Sequence, residues 1–360
     1  MKKVKIVAFN VLWLLTGLAG IELLFGGWLN KKNQLNNIGI LRNLELTYSI
    51  GNLYPHKDGM ITYTRDKFGL RGLHSFNNPQ KIDILTVGGS TTDQRYIDDK
   101  ETWQQLLEDS FKRLNRNLVI SNAGVDGQST VGHIKNFEIW FPKVPDLKPR
   151  YILFYIGIND FYLTPEHASF DYLKPDNKPQ GIFSEFKNNS VLYNLFRKIN
   201  GSLKSKQWSV GHHKINFDEI EYTDSALMDE KMRNKYVIEN LLSFKERVIK
   251  LIELTEKLGA EPIFMTQVSR KYKFIDNRVL GIASTEKMNG YVYNGVDYFY
   301  LTQELNTKIK GEAGTKYKVI DLTDLHIWED SDFYDFFHQT PAGAKKLSLE
   351  IFNQLDTIIK

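Results

Sequence analysis

The sequence predicts an α/β fold built on a parallel sheet, preceded by one N-terminal transmembrane helix. Three observations predict it. Short apolar runs alternate with longer amphipathic ones from Lys81 onward. The short runs are continuous, not alternating, as in parallel strands covered on both faces. The chemically distinctive residues follow those runs directly, and sites in such sheets lie at the carboxyl ends of the strands.

Taken in order, Lys2, Lys3 and Lys5 precede an apolar run from Ile6 to Leu29, interrupted by Asn10, Thr16 and Glu22 and closed by Lys31 and Lys32. A bilayer needs roughly 20 apolar residues, and this run supplies them. A cleaved signal peptide is the rival, with Gly17-Leu18-Ala19 as its small-residue site. Apolar residues continue beyond it through Leu23, Leu24, Phe25 and Trp28, which favours a retained anchor over residues 1–30. Positive charge on both flanks leaves the orientation unset. Residues 31–62 read as a linker, and Tyr63 to Gly72, containing DKFGLRG, as a turn-rich lead into one large domain over 63–360.

Within that domain the strand candidates are Ile82 to Val87, Leu118 to Ser121, Tyr151 to Ile156, Pro262 to Thr266 and Tyr317 to Ile320. Helical periodicity marks Trp103, Leu106, Leu107 and Phe111, then Val237 to Leu258, Tyr298 to Lys310 and Pro341 to Ile359. Residues 161–236 break the pattern. That stretch, with Pro165, Pro175 and Pro179, is an insertion, either a lid or substrate wall over the site or a surface elaboration.

Composition narrows the chemistry. The 360 residues contain no cysteine, which excludes thiol nucleophiles, disulfides and Cys-ligated zinc. A net charge of +4, spread without a basic block, gives no phosphate-tracking stripe, so nucleic acid is not an expected partner. No metal or other cofactor is expected.

Four short stretches carry the candidate chemistry. Ser90 follows the first strand in Gly88-Gly89-Ser90-Thr91, where two glycines allow a sharp turn that presents its hydroxyl and backbone N–H. Asn122-Ala123-Gly124 follows the second, with an unhindered Gly124 N–H. Gly157-Ile158-Asn159-Asp160 follows the third, and the Asn159 amide is a neutral N–H donor suited to the oxygen of a tetrahedral intermediate. Asp335-Phe336-Phe337-His338 precedes the last helix, and its three-residue spacing lets the carboxylate lie beside the imidazole. Each has a plainer account alone: a common turn for Ser90, a helix cap for Asn159, a solvated surface histidine for His338.

Together, in this order and after strands, the four blocks resemble the SGNH/GDSL hydrolase family. The resemblance spans Tyr63 to the C-terminus, including the DKFGLRG lead-in of membrane-anchored bacterial members. It implies a three-layer α/β/α sandwich, Ser90 as nucleophile, His338 as general base and acid, and Asp335 as its partner. It further implies an oxyanion hole from the N–H groups of Ser90 and Gly124 and the side chain of Asn159. Gly89 departs from the commoner Asp before the serine, which bears on substrate subclass.

The function so implied is serine esterase action on an O-acyl, chiefly O-acetyl, ester of a cell-surface polysaccharide or peptidoglycan. The expected place is a bacterial inner membrane, crossed once, with the catalytic domain outside the cytoplasm. An O-acyltransferase, a catalytically silent glycan-binding protein and a lipase are the alternatives. Among other residues, His212 and His213 read as a solvated pair, His326 as a competitor of His338, and Arg71 and Arg270 as salt-bridging residues.

Overall fold

The computed structural model describes residues 2–26, 28, 35, 38–72, 78–163, 171, 190–193, 195, 212–314 and 316–359, with the side chains of 2–5, 7, 8 and 325 outside that set. Most of the expected insertion therefore lies outside the described residues.

Each of the five apolar runs forms a strand of one parallel sheet. They are β3 (Ile84–Gly88), β4 (Ile120–Asn122), β5 (Tyr151–Tyr155), β7 (Glu261–Met265) and β12 (Lys318–Ile320), in the order β12-β7-β5-β3-β4. Every side chain of β3 and β5 is buried, which is why neither run alternates. Helices cover the sheet and close the core. Trp103–Arg113 packs beside Pro341–Leu355, and Leu242–Leu258 beside Gly295–Ala313.

This order places the chain reversal between β3 and β5, because the connection after β3 runs outward to β4 and the next returns past β3 to β5. In open α/β sheets the crevice at such a switch point, beyond the carboxyl ends, is where ligands bind. Ser90 is two residues past β3 and Asn159 four past β5, so topology brings both to that crevice.

Two parts differ from the sequence expectation. Within the stretch expected as a linker, the described residues from 38 onward are built into the fold: β1 (Leu44–Ser49) pairs antiparallel with β2 (Met60–Arg65). The inward residues Leu46, Tyr48, Ile61 and Tyr63 build a second core with Tyr96, Ile97 and Tyr334. Leu35 and Ile38 are buried in the main core. Alternation over six residues, with the partner strand ten residues away, is a weak signal in a single sequence. Between Tyr222 and Tyr293 the chain adds short antiparallel pairs: β6 (Tyr222–Thr223), β8 (Tyr272–Ile275) and β9 (Arg278–Ile282) in one sheet, β10 (Glu286–Met288) and β11 (Tyr291–Tyr293) in another.

The N-terminal helix runs Lys2–Phe25, 24 residues. Among the described residues no helix is long and apolar enough to cross a membrane, so the transmembrane span expected for 1–30 is not supported. The described apolar side chains start only at Ile6, and Glu22 interrupts them near the far end. That carboxylate accepts hydrogen bonds from Ser190 Oγ (2.6 Å) and from the N–H groups of Val191 (3.2 Å) and Leu192 (3.1 Å). Glu22 thus ties the first helix to residues 190–192.

Candidate active site

The turn after β3 sets the serine. Gly89 (φ −85°, ψ −144°) breaks from the strand and Ser90 begins the short helix Ser90–Asp93, where the first N–H groups have no intrahelical acceptor. A buried charge network fixes that helix from behind. Arg71, 1 % exposed, donates through Nε to Asp99 Oδ1 (2.8 Å), through Nη1 to the carbonyls of Asp93 and Gln94, and through Nη2 to the carbonyl of Ile97 (2.6 Å). Arg65 donates to Asp93 Oδ1 (2.7 Å) and to the Gly124 carbonyl. The DKFGLRG segment is therefore a scaffold under the serine, and Arg71 faces no substrate. Arg270 likewise pairs with Asp330 (2.6 Å).

Ser90 Oγ lies 2.7 Å from His338 Nε2. On the other side of the ring, His338 Nδ1 lies 2.7 Å from Asp335 Oδ2 and 2.9 Å from Oδ1. Asp335 Oδ1 also accepts the N–H groups of Phe337 and His338, each at 2.8 Å. The carboxylate is thus locked by its own loop. The loop is held in turn: the Phe336 carbonyl accepts Arg270 N–H (2.7 Å) and Ser269 Oγ–H (3.1 Å), and Tyr334 N–H donates to the His338 carbonyl (3.0 Å). Thr340 caps the final helix through Gly343 N–H (3.2 Å), with Pro341 in its first turn.

Burial pushes the Asp335 carboxyl upward, but His338 and the two backbone N–H donors outweigh it, and the net shift is below the usual carboxylate range. Asp335 stays ionised at neutral pH. It holds the proton on Nδ1 and leaves the Nε2 lone pair facing Ser90.

Asn159 donates one amide hydrogen to the Gln128 carbonyl (2.8 Å), which orients the group and leaves its second N–H for a ligand. Gly89 explains the departure from the commoner Asp. A Cβ at 89 would stand 2.5 Å from Asn159 Nδ2 and 3.1 Å from the Gln128 carbonyl, so a side chain there displaces the amide. Gly157 has φ +123°, and a Cβ on it would strike Leu305, so the turn into this segment requires glycine.

Gly124 differs from the expectation. Its N–H donates to Asn122 Oδ1 (2.8 Å) while its carbonyl takes the Arg65 guanidinium, so both of its backbone polar groups are engaged. The N–H is not free for an oxyanion as the structure stands, because Asn122 folds back in a local turn that competes for it.

His212 is the residue that sequence reasoning missed. Its ring centre is 4.4 Å from that of His338, and its Nδ1 is 3.0 Å from Tyr334 Oη and 3.8 Å from Asp335 Oδ2. Tyr96 packs on it at 4.7 Å. Burial, then the neighbouring His338, pushes its pKa down to about 4, so it is neutral at physiological pH. No local pattern could have found it, because its partners are over a hundred residues away in sequence. His213 beside it is exposed, and His326 contacts Phe274 away from the serine.

No family model and no curated protein matches the chain. Among solved structures it is similar to the psychrotrophic esterase EstA from Pseudoalteromonas sp., at 13% identity over 76% of this chain and 96% of that one, TM-score 0.41. A member of the lipolytic protein G-D-S-L family from Veillonella parvula gives 15% identity, 77% and 98% coverage and a TM-score of 0.40. The acetyl xylan esterase AlAXEase gives 12%, 77% and 100%, and 0.41. At these TM-scores the likeness is too loose to assign an activity, which must come from the side chains around Ser90. Several of the similar structures carry the name of the G-D-S-L family of lipolytic proteins.

Proposed function

We propose that the protein is a serine esterase that removes an O-acyl group, chiefly O-acetyl, from a cell-surface polysaccharide or peptidoglycan. The observation that carries this reading is the relay in which Ser90 Oγ lies 2.7 Å from His338 Nε2 while Asp335 holds the opposite ring nitrogen. Ser90 attacks the ester carbonyl as its proton passes to Nε2, and Asp335 stabilises the resulting imidazolium. The tetrahedral oxyanion takes N–H groups from the Ser90 backbone and the Asn159 amide. Collapse expels the alcohol, which receives the proton from His338, and leaves Ser90 acylated. Water, deprotonated by His338, then attacks the acyl carbon, and collapse breaks its bond to Ser90, which takes the proton back from His338 as the acid leaves.

A glycan hydroxyl in place of that water makes the same site an acyltransferase. Full-length protein given a series of nitrophenyl esters, with and without a glycan acceptor, tests these readings. Turnover is expected to be fastest on the acetyl ester, with acetate released whether or not acceptor is present. Faster turnover on long acyl chains, or acetyl carried onto the acceptor, would replace the esterase reading.

The exposed apolar side chains of the first helix, among them Phe9, Leu12, Trp13, Leu15 and Leu24, support its attachment to lipid. The reading of place is the inner membrane of a bacterium, with the catalytic domain outside the cytoplasm. Full-length protein is expected to float with liposomes in a density gradient. Protein remaining at the bottom of the gradient would sink this part.

A further inference from the structure

We infer that His212, Asp335 and His338 form a site for a divalent transition-metal ion of the zinc type, and that its occupation switches the nucleophile off. Each residue offers one ligand atom, and the three atoms lie within 4.8 Å of one another. Two imidazole nitrogens and one carboxylate oxygen form a donor set that suits zinc; magnesium and calcium favour all-oxygen shells.

The spacing is close to what such an ion needs. Zinc binds nitrogen and carboxylate oxygen at roughly 2.0 to 2.2 Å in a tetrahedron, which sets ligand atoms about 3.4 Å apart. Asp335 Oδ2 is 2.7 Å from His338 Nδ1 and 3.8 Å from His212 Nδ1, so the first contact opens by about 0.7 Å and the second closes by about 0.4 Å. The side chains retain 16 to 21 % exposure, which leaves a solvent-facing side for a fourth ligand. Two backbone N–H donors already orient the Asp335 carboxylate, as groups behind metal ligands commonly do. Tyr334 Oη, now 3.0 Å from His212 Nδ1, yields that nitrogen to the ion.

The chemical consequence follows from proton counting. His338 as a neutral ring carries one proton, on Nδ1 toward Asp335. An ion on Nδ1 moves that proton to Nε2, which then donates toward Ser90 Oγ and no longer accepts from it. No proton is gained or lost, yet the base is gone.

The inhibitory half rests on the reading of Ser90 as nucleophile; the binding half does not. Zinc binding to the full chain is therefore measured by calorimetry, apart from activity, and ester turnover is followed over the same zinc range. One equivalent of zinc is expected to bind and suppress turnover, with EDTA restoring it. His212→Ala is expected to need at least tenfold more zinc for both effects, and His213→Ala the same zinc as the unaltered chain. Unchanged zinc affinity in His212→Ala, or saturated protein that still turns over ester, overturns the inference. Lack of turnover without zinc indicts the esterase reading alone, since the isotherms still decide the metal site.

Discussion

Replacing Ser90 by alanine is expected to abolish labelling of the protein by a fluorophosphonate and to lower ester hydrolysis by on the order of a million-fold. The probe reacts with an oxygen nucleophile made basic by a neighbouring imidazole, and among the described residues only Ser90 Oγ lies against His338 Nε2. Its loss leaves Asn159 and the backbone N–H of residue 90 in place, so weak binding and a small residual rate survive. Asn159→Ala should differ in kind. The relay persists and the probe still reacts, about a hundredfold or more slowly, because one donor to the oxyanion is missing. A mass map of the labelled peptide distinguishes the outcomes, and a probe adduct on any residue other than Ser90 would end the case for this mechanism.

Asp335→Asn is expected to lower turnover by about ten-thousandfold while leaving the loop intact. Asp335 Oδ1 accepts two backbone N–H groups, so an asparagine keeps its carbonyl oxygen there and turns its NH2 toward His338. That amide donates to Nδ1 and forces the ring proton onto Nε2, so His338 points a hydrogen where a lone pair is needed. The variant should therefore fold and melt like the unaltered chain yet take up the probe very slowly. A 15N NMR spectrum of the imidazole reports the tautomer directly. Retained activity would show that Asp335 only shapes the loop.

The sheet was legible because burial on both faces writes itself into sequence as unbroken apolar runs, and all five such runs became its strands. The site was legible for a related reason: parallel topology places functional residues just past strand ends, so Ser90 and Asn159 could be located without knowing the fold. The triad pair was readable from its three-residue spacing.

What escaped is nonlocal. His212 comes from polar chain, and its meaning depends on contacts with Tyr96, Tyr334 and His338 that no spacing announces. Gly124 was misjudged in orientation: the motif shows a residue with room around it, not that Asn122 captures its N–H. Residues 31–62 looked like a tether because a single two-stranded hairpin leaves little periodicity, although its tyrosines are deeply packed.

That hairpin dictates where the gene can be cut. A shortened chain lacking the apolar N-terminal helix should start ahead of Leu35, so that Leu35, Ile38 and both strands stay with the body they pack against. Begun at residue 63, it would lose β1 and half of β2, expose Tyr96, Ile97 and Tyr334, and unseat the residue next to Asp335. An inactive product of that shorter design would report a missing floor beneath the triad, not a dependence of catalysis on the membrane.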